Sequence, residues 1–389
     1  MTPAPTAHTP ASSRAVVDYI VDADGHVCEP ADLWERNLPE RFRDRGIRLR
    51  WNESTGYDEC WVEDGMATDR GLVGLGNAGE SYVDFGKGRH YESLNPAGFD
   101  PDERVKVLDS EGIDLSVMYP GLGLKLGGIK NPELAVHSCA VYSDWIAQYC
   151  SAAPDRLKGA GALPMQDPAE AALEVHRIRD RGLVAGFCRP NPYNDRPFHH
   201  PVYDPVWDAL EETGLALGLH IAGMPDMPGA SRQMMHLMAP GTHHALIPVI
   251  DQMVTLSNLV YGGVLERHPG LKVAVLESGG GWIAHWMDRL NEFEESYSWA
   301  AAPMSVNAEA YFRRQCWISF DPGERTAGPL APIAGADRFI WASDFPHNDA
   351  KYPGVVEELV EQNGHLPDAE RRGLFGLNAL DMYGLPNPP

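Results

Sequence analysis

Eight short apolar segments alternate with helical patterns along this chain of 389 residues, and this alternation restricts its possible folds more than any other feature. Strands and helices that alternate in this way predict a (β/α)8 barrel, a TIM barrel, rather than an all-β or all-α fold. A doubly wound open sheet is the alternative, but it would need a glycine-rich phosphate-binding turn after the first strand, and the sequence has none there. The predicted strands lie at 16–21, 115–119, 158–164, 184–190, 215–220, 272–277, 317–320 and 338–344.

The predicted barrel occupies residues 15–389 as a single domain. Residues 1–14 are rich in Pro, Ala and Thr and lack the basic and apolar regions of a signal peptide, so we expect a disordered N-terminal tail. Residues 30–100 are irregular and rich in Gly, Trp and charge. We interpret them as a cap inserted after strand one, in which 47–51 and 59–63 pair as a hairpin.

The charge balance of the chain restricts the classes of molecule that we expect it to bind. The chain has 32 basic and 55 acidic residues, a net charge of −23, which argues against nucleic acid and anionic membranes as partners. No apolar run approaches the length of a membrane span. The six cysteines are scattered without a Cys-x-x-Cys pair, as is typical of reduced thiols. We therefore expect a cytoplasmic protein that acts on a small molecule.

Polar side chains stand at the carboxyl ends of four predicted strands, where (β/α)8 enzymes hold their catalytic groups. Alternate side chains of a strand share a face, so we expect Asp22, Asp24 and His26 to point in the same direction. Ionised carboxylates on an inward face are costly unless they are paired or bound to metal. The pattern predicts a site for zinc, manganese or iron. The candidate ligands are Asp24 and His26 after strand one, His220 after strand five, Glu277 after strand six and Asp344 after strand eight.

Each candidate also has a structural interpretation. His220 alone would fit a core histidine, Asp344 a helix N-cap, and Glu277 an ion pair with Arg289. Four strand ends with the same pattern favour one shared site over four unrelated ones.

Several motifs together resemble the amidohydrolase superfamily. The resemblance is to the amidohydrolase-related branch that contains aminocarboxymuconate semialdehyde decarboxylase and resorcylate-type decarboxylases, and it spans nearly the whole barrel. The matching segments are Asp22-Ala-Asp-Gly-His26, Leu219-His220, 272–282, Trp341-Ala-Ser-Asp-Phe-Pro-His347 and Asn378-Ala-Leu-Asp-Met-Tyr-Gly384.

The resemblance implies one divalent metal held by Asp24, His26, His220 and Asp344. Asp344 would also be the base that deprotonates a metal-bound water. The implied activity is hydrolysis or non-oxidative decarboxylation of a small carboxylated or cyclic organic substrate, with the metal activating water or polarising a carbonyl. The implied assembly is a homodimer.

Two residues depart from the family pattern. Asp24 stands where the family has His or Glu, a change that favours a harder metal such as manganese or iron. Glu277 stands where the decarboxylases have a catalytic His. A carboxyl group can donate a proton at neutral pH only when its pKa is strongly raised, so the predicted role of Glu277 is to orient a ligand or to shuttle a proton.

Two other functions stay open at this point. Three carboxylates and two imidazoles could hold two metals, so a non-haem di-iron oxygenase with Glu277 as an extra ligand is the alternative activity. A non-catalytic binding protein on a degenerate barrel is the alternative from another class. Further donors could come from loop histidines at His236, His243, His244 and His347.

Arg189 and Asn191, at the end of strand four, are the candidate substrate-binding residues. A guanidinium suits a substrate carboxylate because it presents two donors in one plane. The alternative for Arg189 is a salt bridge on the barrel rim.

Overall fold

The computed structural model describes residues 19–68, 72–80, 88–222 and 242–388. Within them, eight parallel strands follow one another around a single sheet in chain order. The ring is closed where the His26 N–H donates to the Phe345 carbonyl at 2.8 Å and the Asp344 N–H donates to the Asp24 carbonyl at 3.3 Å. The predicted (β/α)8 barrel is confirmed, and the open sheet is excluded. The strands are β1 Val21–His26, β2 Leu115–Tyr119, β3 Leu157–Ala162, β4 Ala185–Cys188, β5 Ala216–Leu219, β6 Lys272–Val275, β7 Cys316–Phe320 and β8 Phe339–Trp341.

The helices that surround the barrel begin with local signals. Asp100, Asn131 and Asp167 each accept a hydrogen bond from a backbone N–H of the first turn, and a proline follows each of them. No helix in the described ranges is long and apolar enough to cross a bilayer. The helices are Leu33–Asn37, Pro96–Phe99, Pro101–Glu111, Pro132–Cys150, Pro168–Asp180, Asp204–Thr213, Thr242–Tyr261, Val264–Arg267, Ile283–Tyr297, Ala308–Gln315, Ala327–Leu330, Val355–Asn363, Asp368–Arg372 and Asn378–Tyr383.

The segment after β1 contains a small antiparallel sheet. Its strands are Arg48–Asn52, Tyr57–Val62 and Gly65–Thr68, and the first two pair as the sequence predicts, with Arg48 opposite Trp61. Farther along, the Ala78 N–H donates to the Pro346 carbonyl at 3.0 Å, and the Asn348 N–H donates to the Gly74 carbonyl at 2.8 Å. The insertion therefore lies against the loop that follows β8.

The first strand differs from its prediction. It begins at Val21 and contains the polar motif, whereas residues 16–18 of the predicted strand lie outside the described residues. The apolar run that predicts the strand ends at Val21, whereas the observed strand continues through the polar motif to His26. Here Asp22, Asp24 and His26 are all fully buried. Asp22 and His26 are hydrogen-bonded to residues outside β1, whereas the Asp24 carboxylate has no hydrogen-bond partner among the described residues.

The barrel interior beneath the polar motif is filled by Tyr119 of β2. A Cβ added at Gly218 of β5 would lie 2.6 Å from the Tyr119 Oη, so a glycine is required for this ring to fit. The Tyr119 ring stacks on His220, with centroids 5.4 Å apart. Its hydroxyl hydrogen-bonds to the Tyr383 Oη at 3.0 Å, and the Tyr383 hydroxyl donates to the Ala23 carbonyl at 2.8 Å. Packing of the C-terminal helix thereby supports β1 next to Asp24.

Candidate metal centre

Asp24 and His26 of β1 meet His220, the residue after β5, in the mouth of the barrel. The His220 Nε2 lies 3.4 Å from the Asp24 Oδ2, and the His26 Nε2 lies 3.8 Å from the Asp24 Oδ1. The two Nε2 atoms are 3.2 Å apart, and all three side chains are fully buried. Residues from opposite sides of the barrel thus form one cluster.

Glu277 and Asp344 complete this cluster. The Glu277 Oε2 lies 3.4 Å from the His220 Nε2, and the Asp344 Oδ1 lies 3.7 Å from the His26 Nε2. Their side chains are 21% and 17% exposed, so they form the open side of the site. The structure therefore brings together all five residues that the sequence selects as ligands.

The route by which Glu277 and Asp344 reach the site differs from the predicted one. The sequence places them at the inward-facing ends of their strands, but β6 ends at Val275 and β8 at Trp341. Both residues instead adopt the left-handed conformation, with φ of 50° and 55°. This conformation is uncommon for residues other than glycine and is concentrated at functional sites. Turns beyond the strands, not strand alternation, aim the two carboxylates.

Backbone carbonyls fix the orientation of both imidazoles. The Nδ1 of His26 lies 2.8 Å from the Pro120 carbonyl oxygen, and the Nδ1 of His220 lies 2.7 Å from the Ile221 carbonyl oxygen. Since a carbonyl oxygen only accepts, each Nδ1 carries the proton and donates it. Each Nε2 then faces the carboxylates, the orientation in which a metal-binding histidine is held.

The protonation of the cluster follows from its burial. Burial keeps the pKa of His26 well below its usual value, so this imidazole is neutral. Burial opposes the charge on His220, but Asp24 and Glu277 outweigh it and raise the pKa of His220 to about 9. Burial raises the pKa of Glu277 to about 8, and burial together with the neighbouring carboxylates raises the pKa of Asp344 well above its usual range. Without a cation, the cluster retains protons at neutral pH.

The donor set fits a divalent metal ion. Both carboxylate oxygens of Asp24, the Oε2 of Glu277 and the Oδ1 of Asp344 are buried without a hydrogen-bond partner in the described part of the chain. A single proton on the His220 Nε2 can serve only one of these acceptors, whereas a cation can serve several at once. Three carboxylates with two imidazoles suit manganese, iron or zinc.

His347 adds a sixth donor to the mouth of the site. Its ring stacks on that of His26, with centroids 3.9 Å apart and planes inclined by 21°, and burial lowers its pKa to about 4. His26, Asp344 and His347 form one group at metal-binding distances, and it shares His26 with the group of Asp24 and His220. Of the other loop histidines named from the sequence, His236 and the side chains of His243 and His244 lie outside the described residues.

Comparison with known proteins identifies the family of this chain. The family model described as Amidohydrolase matches residues 21–385 of this chain. The chain belongs to the amidohydrolase family. The predicted metal-dependent amidohydrolase-type enzyme, hydrolytic or decarboxylating, is confirmed at this level.

Two relatives from the predicted branch are similar over most of the chain. One is the 2-amino-3-carboxymuconate-6-semialdehyde decarboxylase of Dictyostelium discoideum, 25% identical, with 77% of this chain and 80% of that protein covered. The other is the gamma-resorcylate decarboxylase of Rhodococcus jostii (strain RHA1), 25% identical, with 77% and 93% covered. Neither relative supports the oxygenase alternative.

Solved structures share the fold. An amidohydrolase from Mycobacterium avium subsp. paratuberculosis K-10 superposes with a TM-score of 0.79 at 21% identity, covering 95% of this chain and 100% of the other. A 5-carboxyvanillate decarboxylase from Novosphingobium aromaticivorans DSM 12444, solved in complex with manganese, superposes with a TM-score of 0.70 at 19% identity, covering 95% and 97%.

Asp22 of this amidohydrolase hydrogen-bonds to Ser116 and Ser343 and is not a member of the donor cluster. Its carboxylate accepts hydrogen bonds from the Ser116 hydroxyl at 2.6 Å, the Ser343 N–H at 2.9 Å and the Ser343 hydroxyl at 2.8 Å. The pairing of β1 with β2 is irregular between Asp22 and Gly25, which breaks the alternation assumed from the sequence. The predicted common face of Asp22, Asp24 and His26 is therefore wrong for Asp22.

Arg104, which the sequence does not mark, holds the end of β1. It lies in the helix Pro101–Glu111 but is fully buried, and it donates to the carbonyls of Ala97, His26 and Phe345. Its guanidinium also stacks on the Phe345 ring at 4.7 Å. In a sequence, a charged residue within a helix normally indicates a solvent-exposed face. The partners that allow Arg104 to be buried are backbone carbonyls outside its own helix, so no local pattern marks them.

Arg189 and Asn191 are buried in the loop after β4, each 5% exposed. The His220 N–H donates to the Cys188 carbonyl at 3.0 Å, so Arg189 follows the residue that pairs with His220. The Arg189 guanidinium donates to the Ala222 carbonyl, and the Asn191 Nδ2 donates to the Pro192 carbonyl at 2.8 Å. Their role in substrate binding stays a prediction.

Proposed function

We propose that this amidohydrolase is a manganese-dependent decarboxylase that removes CO2 from a carboxylated aromatic or similarly unsaturated substrate without consuming an oxidant. The observation that carries the proposal is the cluster of three carboxyl groups around two imidazoles whose Nδ1 atoms are held by backbone carbonyls. The two decarboxylases described above, which are relatives of this chain, support the same reaction class.

Asp24, His26, His220 and Asp344 would hold one metal ion, with Glu277 as a further ligand. Three carboxylates favour a hard ion, and the solved 5-carboxyvanillate decarboxylase contains manganese. When bound, the ion supplies positive charge that attracts the oxygen atoms of an anionic substrate and stabilises the charge that develops during the reaction.

Decarboxylation breaks the bond between a ring carbon and the carboxylate carbon, and a proton takes the place of the CO2. Asp344 would deliver this proton to the ring carbon, because its carboxyl group lies on the open side of the site and is 17% exposed. Glu277 carries a proton only in the metal-free cluster, where burial raises its pKa to about 8, so as a metal ligand it would orient His220 rather than donate a proton. The two carboxyl groups lie on the open side of the site, where a substrate ring can approach them.

Arg189 and Asn191 would contact the substrate from the loop after β4. The Arg189 guanidinium donates a hydrogen bond to the carbonyl of Ala222, two residues beyond His220. This contact fixes the position of Arg189 relative to the donor cluster. A guanidinium beside a site of this kind offers paired donors for a carboxylate.

The test is release of CO2 by metal-free enzyme reloaded with Mn²⁺. The panel is gamma-resorcylate, 5-carboxyvanillate and 2-amino-3-carboxymuconate 6-semialdehyde, the substrates in the names of the relatives and the solved structure. We expect Mn²⁺-dependent CO2 release from at least one substrate, at the same rate in air and under nitrogen. Oxygen consumption, or turnover to hydrolysis products without CO2, would overturn the proposal.

Asp344→Asn is the diagnostic variant, since it removes the acidic proton but keeps the shape of the side chain. We expect its kcat to fall by roughly 10²–10⁴-fold, the usual contribution of a general acid. Asp337→Asn is the matched control, because Asp337 is 69% exposed and pairs with Arg338. Equal activity of the two variants would exclude Asp344 as the proton donor.

A further inference from the structure

The peptide group between Leu276 and Glu277 is held by two side chains. Its carbonyl accepts a hydrogen bond from the Gln252 Nε2 at 3.0 Å, and its N–H donates to the Ser319 hydroxyl oxygen at 3.2 Å. The paired residues of β6 and β7 end at Val275 and Ile318, so the strand ladder does not reach this peptide. Gln252 is fully buried, and Ser319 is 2% exposed.

Gln252 also reaches the neighbouring strand. Its Nε2 lies 2.6 Å from the Leu219 carbonyl oxygen, which in addition accepts the Leu276 N–H at 3.1 Å. Since both contacts of the Gln252 amide are carbonyl oxygens, the amide nitrogen must face them and donates one hydrogen to each. One side chain therefore binds the peptide groups that directly precede His220 and Glu277.

We propose that Gln252 and Ser319 are positioning residues that keep Glu277 in its left-handed conformation and so hold its carboxylate against His220. The φ of Glu277 is 50°, and its Oε2 lies 3.4 Å from the His220 Nε2. Rotation of the Leu276–Glu277 peptide would relieve the uncommon backbone conformation and turn the carboxylate away. The two side-chain bonds oppose this rotation, because each end of the peptide would lose its partner. The inference depends on one part of the proposed function, namely that the donor cluster binds a metal ion.

The chain supplies a matched control for Gln252. Gln315 is also buried, and its Nε2 donates to two backbone carbonyls, those of His268 at 2.6 Å and Leu271 at 3.2 Å. These carbonyls precede β6 and lie at the end of the strand opposite to Glu277. A purely structural role for such a glutamine would be the same at both positions.

The first experiment is titration of Mn²⁺ into the metal-free protein by calorimetry, for the wild type and for Gln252→Met and Gln315→Met. Loss of the partners that orient a metal ligand weakens affinity by roughly 10–100-fold, so we expect a weakening in this range for Gln252→Met. Gln315→Met should bind Mn²⁺ as the wild type does, although both variants lose thermal stability. Equal weakening in both variants, or none in Gln252→Met, would overturn the inference.

Ser319 gives an independent test if Gln252→Met does not fold. Ser319→Ala removes the acceptor and should weaken Mn²⁺ binding, whereas Ser319→Thr keeps the hydroxyl and should restore it. In a Glu277→Gln background, Ser319→Ala should cause no further weakening, because its effect passes through Glu277. Additive effects of the two substitutions would overturn the inference.

The outcomes for the wild type separate the two proposals. A wild-type protein that binds no Mn²⁺ would overturn both the metal-dependent function and this inference. Mn²⁺ binding with the expected pattern of variants, but without CO2 release from any substrate, would contradict the decarboxylase and leave the roles of Gln252 and Ser319 supported.

Discussion

The Nε2 atoms of His26 and His220 lie 3.2 Å apart, although the two residues stand at the ends of β1 and β5, opposite strands of the barrel. Each imidazole donates its Nδ1 proton to a backbone carbonyl, so the two remaining nitrogens face each other. His26 is neutral, and the pKa of His220 is raised to about 9. In the absence of metal, a proton on the His220 Nε2 occupies the space between them, and a cation would replace it.

Removal of metal should therefore destabilise the protein as well as inactivate it. A ligand present at 100 times its dissociation constant stabilises the folded state by about 2.7 kcal/mol, so chelation should lower the melting temperature by several degrees. Scanning calorimetry with chelator, and then with added Mn²⁺, measures this effect. His220→Asn should melt at the same temperature in both conditions. A wild-type melting temperature that chelator leaves unchanged would contradict the prediction.

Metal binding should release protons in a pH-dependent manner. At pH 7 in the metal-free protein, Glu277, with a pKa of about 8, and His220, with a pKa of about 9, both carry protons that a metal must displace. The affinity for Mn²⁺ should rise as the pH rises through 8 and 9, and the number of protons released should fall. Calorimetry in buffers of different ionisation enthalpy counts these protons at pH 7 and pH 9. An equal proton count at the two pH values would show that neither group titrates in this range.

The barrel and its five donors were predictable from the sequence because each leaves a local signal. An apolar run that ends in Asp, Glu or His indicates the mouth of the barrel, and His220, Glu277 and Asp344 follow this pattern in the sequence. The continuation of β1 past Val21 was not predictable in this way, since the partners that permit burial of Asp22 are Ser116 and Ser343, far away in the chain.

Other features of the site depend on contacts that no local pattern encodes. Arg104 donates to carbonyls at the end of β1 and in the loop after β8, and Gln252 donates to carbonyls at two strand ends, yet both residues lie in helices where polar residues normally face solvent. The left-handed turns at Glu277 and Asp344 replace the strand alternation that the sequence suggests. The homodimer and the cytoplasmic location stay predictions.

Glu29 should make stability depend on pH. It is fully buried, where burial raises its pKa from 4.5 to about 7, although its carboxylate accepts the N–H groups of Leu122 and Gly123. Below pH 4.5 the folded and unfolded chains both carry this proton. Between pH 4.5 and 7 the unfolded chain loses it first, so the folded state loses stability as the pH rises, by roughly 3 kcal/mol for a shift of this size.

Glu29→Gln removes this titration and is the variant with which to measure it. The difference in unfolding free energy between wild type and variant, from urea denaturation, should fall from pH 5 to pH 8. Taking the difference cancels the groups that titrate in both proteins. A difference that stays constant over this range would show that Glu29 is already ionised at pH 5.

Arg104→Lys should destabilise the fold and weaken the metal centre together. The guanidinium of Arg104 donates to three backbone carbonyls at once, and a lysine ammonium cannot reproduce this planar geometry. Loss of two hydrogen bonds to a buried charged group should lower the unfolding free energy by roughly 2–4 kcal/mol. Because one of the carbonyls belongs to His26, Mn²⁺ affinity should fall as well.

Arg36→Lys is the control, since Arg36 pairs with Asp32 at the surface and its replacement should change neither the unfolding free energy nor the Mn²⁺ affinity. Unfolding in urea and Mn²⁺ titration measure the two effects, and a stable Arg104→Lys variant with wild-type Mn²⁺ affinity would show that the end of β1 holds its position without this guanidinium.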